Sequence, residues 1–233
     1  MPERAPIRTA VPATLLAAAG LLLTGCGTGA KTADPAAPAA GASGSATATA
    51  SASGAPGAAP AEDGAAAAPA GALGGAGTAC TLPVTFSLAK DWKPKAIDAP
   101  ADPEVADLLE GLYRQGPATA VCEVDAKPAG SIGFLRVWTA PKGPVRGTLE
   151  SFVKAEEGSR KAVYTETKAG ALPAVEVTYA VYSEVMEETS DKRAFAVETP
   201  KGVVVVQLGG LDSEEHRAML PAYRLAKSSL KAS

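Results

Sequence analysis

Between Gly27 and Ala79 the chain runs for 53 residues with only Lys31, Asp34, Glu62, Asp63 and Leu73 outside the set Ala, Gly, Ser, Thr and Pro. One large apolar side chain in that length cannot bury enough surface to offset the cost of ordering a backbone, about 1–2 kcal/mol per residue. Residues 26–79 are therefore expected to form a disordered linker, and any packed core has to come from elsewhere. The overall hydrophobic fraction of 46% is inflated by alanines that never enter a core. Residues 80–233 remain, long enough for one globular domain. As a flexible coil the linker reaches roughly 40 Å, and Pro35, Pro38, Pro56, Pro60 and Pro69 stiffen it.

Residues 1–25 have the order of a signal peptide. Arg4 and Arg8 precede an apolar run at residues 10–23, which is too short to span a bilayer comfortably. The run ends in Leu23-Thr24-Gly25-Cys26, which resembles the bacterial lipobox. That resemblance implies cleavage ahead of Cys26, a diacylglyceryl thioether on its Sγ and palmitate-type acyl chains. Two chains anchor stably where one is marginal. The expected location is the extracytoplasmic face of the plasma membrane, with the membrane itself as one partner through Cys26. The glycines of Gly74-Gly75-Ala76-Gly77 have no strand before them and no helix after, so they do not read as a phosphate loop.

Cys80 and Cys122 are the only other cysteines. In an exported chain they are expected to pair as a disulfide; a redox or metal pair would need CxxC spacing or nearby ligands, and has neither. Residues 1–79 hold three basic and four acidic side chains, which leaves 19 basic and 21 acidic in the domain, a net of −2. With no basic stripe, nucleic-acid binding is not expected.

Within the domain, Val84-Thr85-Phe86-Ser87-Leu88 alternates as a strand. Asp102 and Pro103 open a helix over 103–115 with Val105, Leu108, Leu109 and Leu112 on one face, closed by Gly116-Pro117. Strands follow at 119–125 and 131–139. Thr148 caps a helix that carries Leu149, Phe152 and Val153. Further strands are expected at 161–168 and 174–185, then a hairpin of 192–199 with 202–208. Asp212 or Ser213 caps a last helix to about Leu230, kinked or interrupted at Pro221. The class is α+β, a mostly antiparallel sheet with packed helices.

The strand at 84–88 followed by Trp92, the short helix from Thr148, the long meander and a C-terminal helix ending in Ser228-Ser229-Leu230 resemble the Mog1/PsbP-like fold. The resemblance is to lipoproteins of the LpqN type, over about residues 82–231. Asp91 stands before Trp92 where that family more often has glycine. The resemblance implies an α/β/α sandwich and a non-enzymatic binding or assembly factor, and no catalytic residue carries over.

No catalytic constellation or cofactor motif stands out. His216 is the only histidine, with Asp212 four residues earlier on the same helical face; a solvated helix residue is the expected reading rather than a triad or zinc ligand. Glu184, Glu187, Glu188 and Asp191 match no calcium loop. Trp92, Trp138, Tyr164, Tyr179 and Tyr182 are expected mainly in the core. The function expected is a non-enzymatic binding or assembly module in the cell envelope, acting on an envelope protein or small ligand. The alternatives are a carrier or sensor of an apolar molecule, resting on those aromatics, and an envelope hydrolase.

Overall fold

Val203 to Val206 lack polar alternation, so a strand built from them needs apolar cover on both faces. In the computed structural model they lie in β10 (Gly202–Gly210), paired antiparallel with β6 (Gly133–Ala140) on one side and β9 (Glu188–Thr199) on the other. Each valine is at most 1% exposed. The structure describes residues 64–98, 100 and 102–233, all within the unit Gly57–Ser233. The expected signal peptide at residues 1–25, Cys26 and residues 27–63 lie outside the described residues.

These residues form two sheets. The larger has eight strands, all antiparallel, in the order β3 (Lys93–Ala96), β5 (Ala118–Asp125), β6, β10, β9, β8 (Leu172–Ser183) and β7 (Ser159–Ala169). The two-residue β4 (Arg114–Gln115) also pairs with β5. In the smaller sheet β2 (Val84–Ala89) lies between β1 (Pro69–Leu73) and β11 (Lys231–Ala232). One face of the large sheet is covered by α3 (Val145–Ala155), which buries Leu149, Phe152 and Val153 against Val175, Val177, Val203 and Val205. The other face packs on α4 (Ser213–Ser228) and the small sheet, where Val84, Phe86 and Leu73 meet Val204, Val206, Met219 and Tyr223. This is the α+β class expected, with strands dominant.

Local chemistry accounts for α4. Both the Glu214 and Glu215 N–H groups donate to the Asp212 carboxylate at 2.8 Å, so the N-cap is filled. Glu214 and Glu215 also place negative charge at the positive end of the helix dipole. Pro221 does not interrupt the helix, which runs on to Ser228; its carbonyl instead accepts the Ala67 N–H at 2.9 Å.

Three expectations are corrected. The linker was to extend to residue 79, but β1 pairs with β2 from Pro69 onward, and Leu73, its one large apolar residue, is 0% exposed. Composition missed this because strand pairing supplies backbone hydrogen bonds that do not depend on side chains, and one deep leucine completes the seat. Gly74 then turns at φ +99°, where a Cβ would stand 1.9 Å from the Val84 carbonyl oxygen. The glycine cluster is the turn that returns the chain to β2. Second, α3 starts at Val145 after Pro144, and Thr148 sits inside it, donating its N–H to the Pro144 carbonyl. Third, the helix expected over 103–115 divides into α1 (Pro103–Leu108), opened by Asp102, and α2 (Glu110–Tyr113). The hairpin at Gly116 draws Arg114 and Gln115 into β4, so the apolar face finds no cover: Val105, Leu108 and Leu112 are 42%, 83% and 68% exposed.

Cys80 and Cys122 are bonded, with Cα atoms 6.0 Å apart and a sequence separation of 42. Both are buried, and the bond ties the approach to β2 onto β5, joining the two sheets. Loss of that constraint in the Cys80→Ala, Cys122→Ala double variant is expected to cost roughly 3–4 kcal/mol in urea unfolding; an unchanged midpoint contradicts it. Leu73→Ala is expected to destabilise by about 2–5 kcal/mol. Limited proteolysis should leave a core that begins near Gly64, and a stable core that starts at residue 80 would show β1 to be dispensable.

Candidate functional site

Polar side chains that enter a sheet's interior need partners, and on the α3 face Gln207, Tyr179 and Glu156 supply one another, while Trp138 Nε1 has none among the described residues. Gln207, the one polar residue in the apolar run of β10, donates through Nε2 to the Glu156 carboxylate at 3.0 Å and to the Tyr179 hydroxyl oxygen at 2.8 Å. The Tyr179 hydroxyl donates to the same Glu156 oxygen at 2.6 Å, and Gln115 Nε2 donates to it at 3.3 Å. Burial, reinforced by the Glu156 charge, pushes the Tyr179 pKa well above the ordinary tyrosine value. Glu156 closes α3, so this network locks the end of that helix to the sheet. Gln207, a lone amide among valines, was the sequence signal for it.

On the α4 face, Glu176 of β8 accepts from Lys227 Nζ at 2.6 Å and from the Tyr223 hydroxyl at 2.7 Å, nearly out of water. The N-terminal half of α4 behaves differently. Between it and the ends of β7, β8 and β9 lies an open cleft of about 320 Å³, walled by Lys161, Thr178, Ala180, Asp191, Arg193, His216, Arg217 and Leu220 among others. His216 is 5% exposed, not the solvated residue expected, and its Nδ1 has no hydrogen-bond partner among the described residues. Burial is the main cause that pushes its pKa down from 6.5 to about 4; Asp191 opposes the shift, while Arg193, Lys192 and Arg217 add to it. The imidazole is therefore neutral at pH 7.

The other residues singled out in the sequence are dispersed. Asp212 spends its carboxylate on the α4 cap and does not pair with His216, although its carbonyl accepts the His216 N–H. Glu184, Glu187 and Glu188 stand at the tip of the β8–β9 hairpin, while Asp191 lies three residues down β9 in the cleft wall. Trp92 packs in the core under α4, whereas Trp138 and Tyr179 pack under α3 and Tyr182 is exposed. The aromatics thus line no common cavity. Lys161 and Arg217 were missed: the β7 bulge that presents Lys161 leaves no mark on composition or alternation.

Fold and cleft together define a disulfide-bonded α+β domain with a charged cleft on one face. Among the described residues no helix is long and apolar enough to cross a membrane. Residues 32–230 match the model of a family described as an uncharacterised lipoprotein, and the chain belongs to that family. Membership makes it a lipoprotein, held at a membrane by lipid. No curated protein matches the chain.

His216 also makes stability depend on pH. Unfolded, it titrates near 6.5, and folded near 4, so between those values the unfolded chain holds the extra proton. Its contribution is complete above pH 6.5 and falls by up to about 3 kcal/mol as pH drops to 4. Urea unfolding of the protein and of His216→Gln between pH 7 and pH 4 should show the steeper loss only where the histidine is present. Parallel curves would contradict the burial argument.

Proposed function

We propose that the protein is a non-enzymatic binding or assembly module on the extracytoplasmic face of the plasma membrane, anchored by acyl chains on Cys26. The order of strands and helices supports a Mog1/PsbP-like sandwich of the LpqN lipoprotein type. The observation that carries the binding role is the cleft beside His216, which combines a buried unpartnered imidazole with cationic side chains on a rigid sheet-and-helix frame. On the α3 face Gln207 and Tyr179 are engaged in the Glu156 network, so they serve packing rather than a ligand. In this reading the cleft serves recognition rather than turnover.

Two measurements test this reading. Cys26→Ser is expected to abolish labelling by a radioactive fatty acid and to leave the precursor uncleaved; persistent labelling contradicts the anchor. Native mass spectrometry of the protein after exposure to envelope extract is expected to show a discrete added mass that Arg217→Glu removes. A bare polypeptide mass under all conditions, or an adduct indifferent to Arg217→Glu, sinks the cleft as the binding site.

A further inference from the structure

We propose that the cleft beside His216 binds a phosphate group, which deepens and rests on the reading of that cleft as the binding site. Lys161 and Arg217 line it, and neither makes an ion pair among the described residues. Lys161 sits in a β-bulge between Arg160 and Val163 at φ +55°, a conformation that residues with a Cβ rarely adopt. Bulges re-aim side chains, and this one gives the edge strand a lysine on the cleft wall. The buried, unpartnered His216 Nδ1 is the independent sign of a missing partner. In the Nδ1–H tautomer the neutral imidazole offers that N–H without adding charge, and a phosphate accepts from several directions at once. Two flexible cations and that donor match a tetrahedral oxyanion.

Size and lining narrow the class further. About 320 Å³ lies at the small end of ligand sites, enough for a phosphate or a phosphomonoester head. Asp191 on the same wall is the opposing charge and sets the sign of a diagnostic variant. Free phosphate, a phosphomonoester and a phospholipid headgroup share this chemistry, and the membrane that anchors the chain supplies the last.

Because His216 is the only histidine, its imidazole resonances report on the cleft with no assignment needed. The probe is the ¹⁵N-labelled chain from residue 26 with Cys26→Ser, titrated at constant ionic strength with inorganic phosphate. Phosphatidylglycerol vesicles form a second arm and phosphatidylcholine vesicles a third. Saturable movement of the His216 signals with phosphate is expected. Lys161→Ala and Arg217→Ala should each weaken binding by about tenfold, the size of one charge-assisted hydrogen bond. Asp191→Asn should tighten it, and Lys168→Ala, on the same strand outside the cleft, should leave it unchanged. A response confined to phosphatidylglycerol identifies the headgroup as the source and keeps the phosphate chemistry. Fixed resonances in every arm, or movement that chloride reproduces without saturation, overturn the proposal. An extract-derived adduct lost in Arg217→Glu, beside a silent phosphate titration, would keep the cleft as the binding site and remove phosphate as its ligand.

Discussion

The fold rests on the burial of β10 on both faces. Each of its four valines contributes roughly 1.5–3 kcal/mol relative to an exposed position, so together they rival the net stability of a whole domain, about 5–15 kcal/mol. A strand that apolar cannot tolerate a bare face. The side toward Val203 and Val205 requires α3, and the side toward Val204 and Val206 requires α4 with the small sheet. Removing either cover would expose half of the same strand, which couples two cores that share no side chains.

Apolar burial is indifferent to where a helix sits along a sheet; the polar contacts supply position. The Glu176, Lys227 and Tyr223 contact fixes the C-terminal half of α4 over β8, and the Ser229 hydroxyl oxygen accepts the Ser87 N–H, which joins the end of the helix to the small sheet. A buried ion pair of this kind adds little net stability, because desolvation offsets its attraction, but losing one partner is costly. The Glu156 network does the same for α3. Against these satisfied clusters, His216 at the other end of α4 stands out: it is equally buried, yet one ring nitrogen is unmatched. Packing alone would have favoured a leucine there.

What could be read in advance follows from which forces are local. Alternation in Val84–Leu88, the unbroken valines of β10, and the Asp212 cap all encode their structure within a few residues, and each is formed in the structure. β1 was illegible because its stability comes from β2 and from one core position filled by Leu73. The 103–115 segment misled in the opposite direction. Its helical spacing is genuine, but spacing says only that a face exists, and a competing hairpin at Gly116 left that face uncovered. The cleft was hidden for a third reason. Lys161, Asp191, His216 and Arg217 come from β7, β9 and α4, and only the sheet order brings them together.

The corrected boundary also changes where the domain begins. The described residues of the domain begin at Gly64, ahead of β1. A domain of this length has a radius of gyration of only about 15 Å. Ala67 joins α4 through Pro221, which puts the entry of the chain and the cleft on the same side of the large sheet. Lysine and arginine on the wall of that cleft favour an anionic group there over a cationic one.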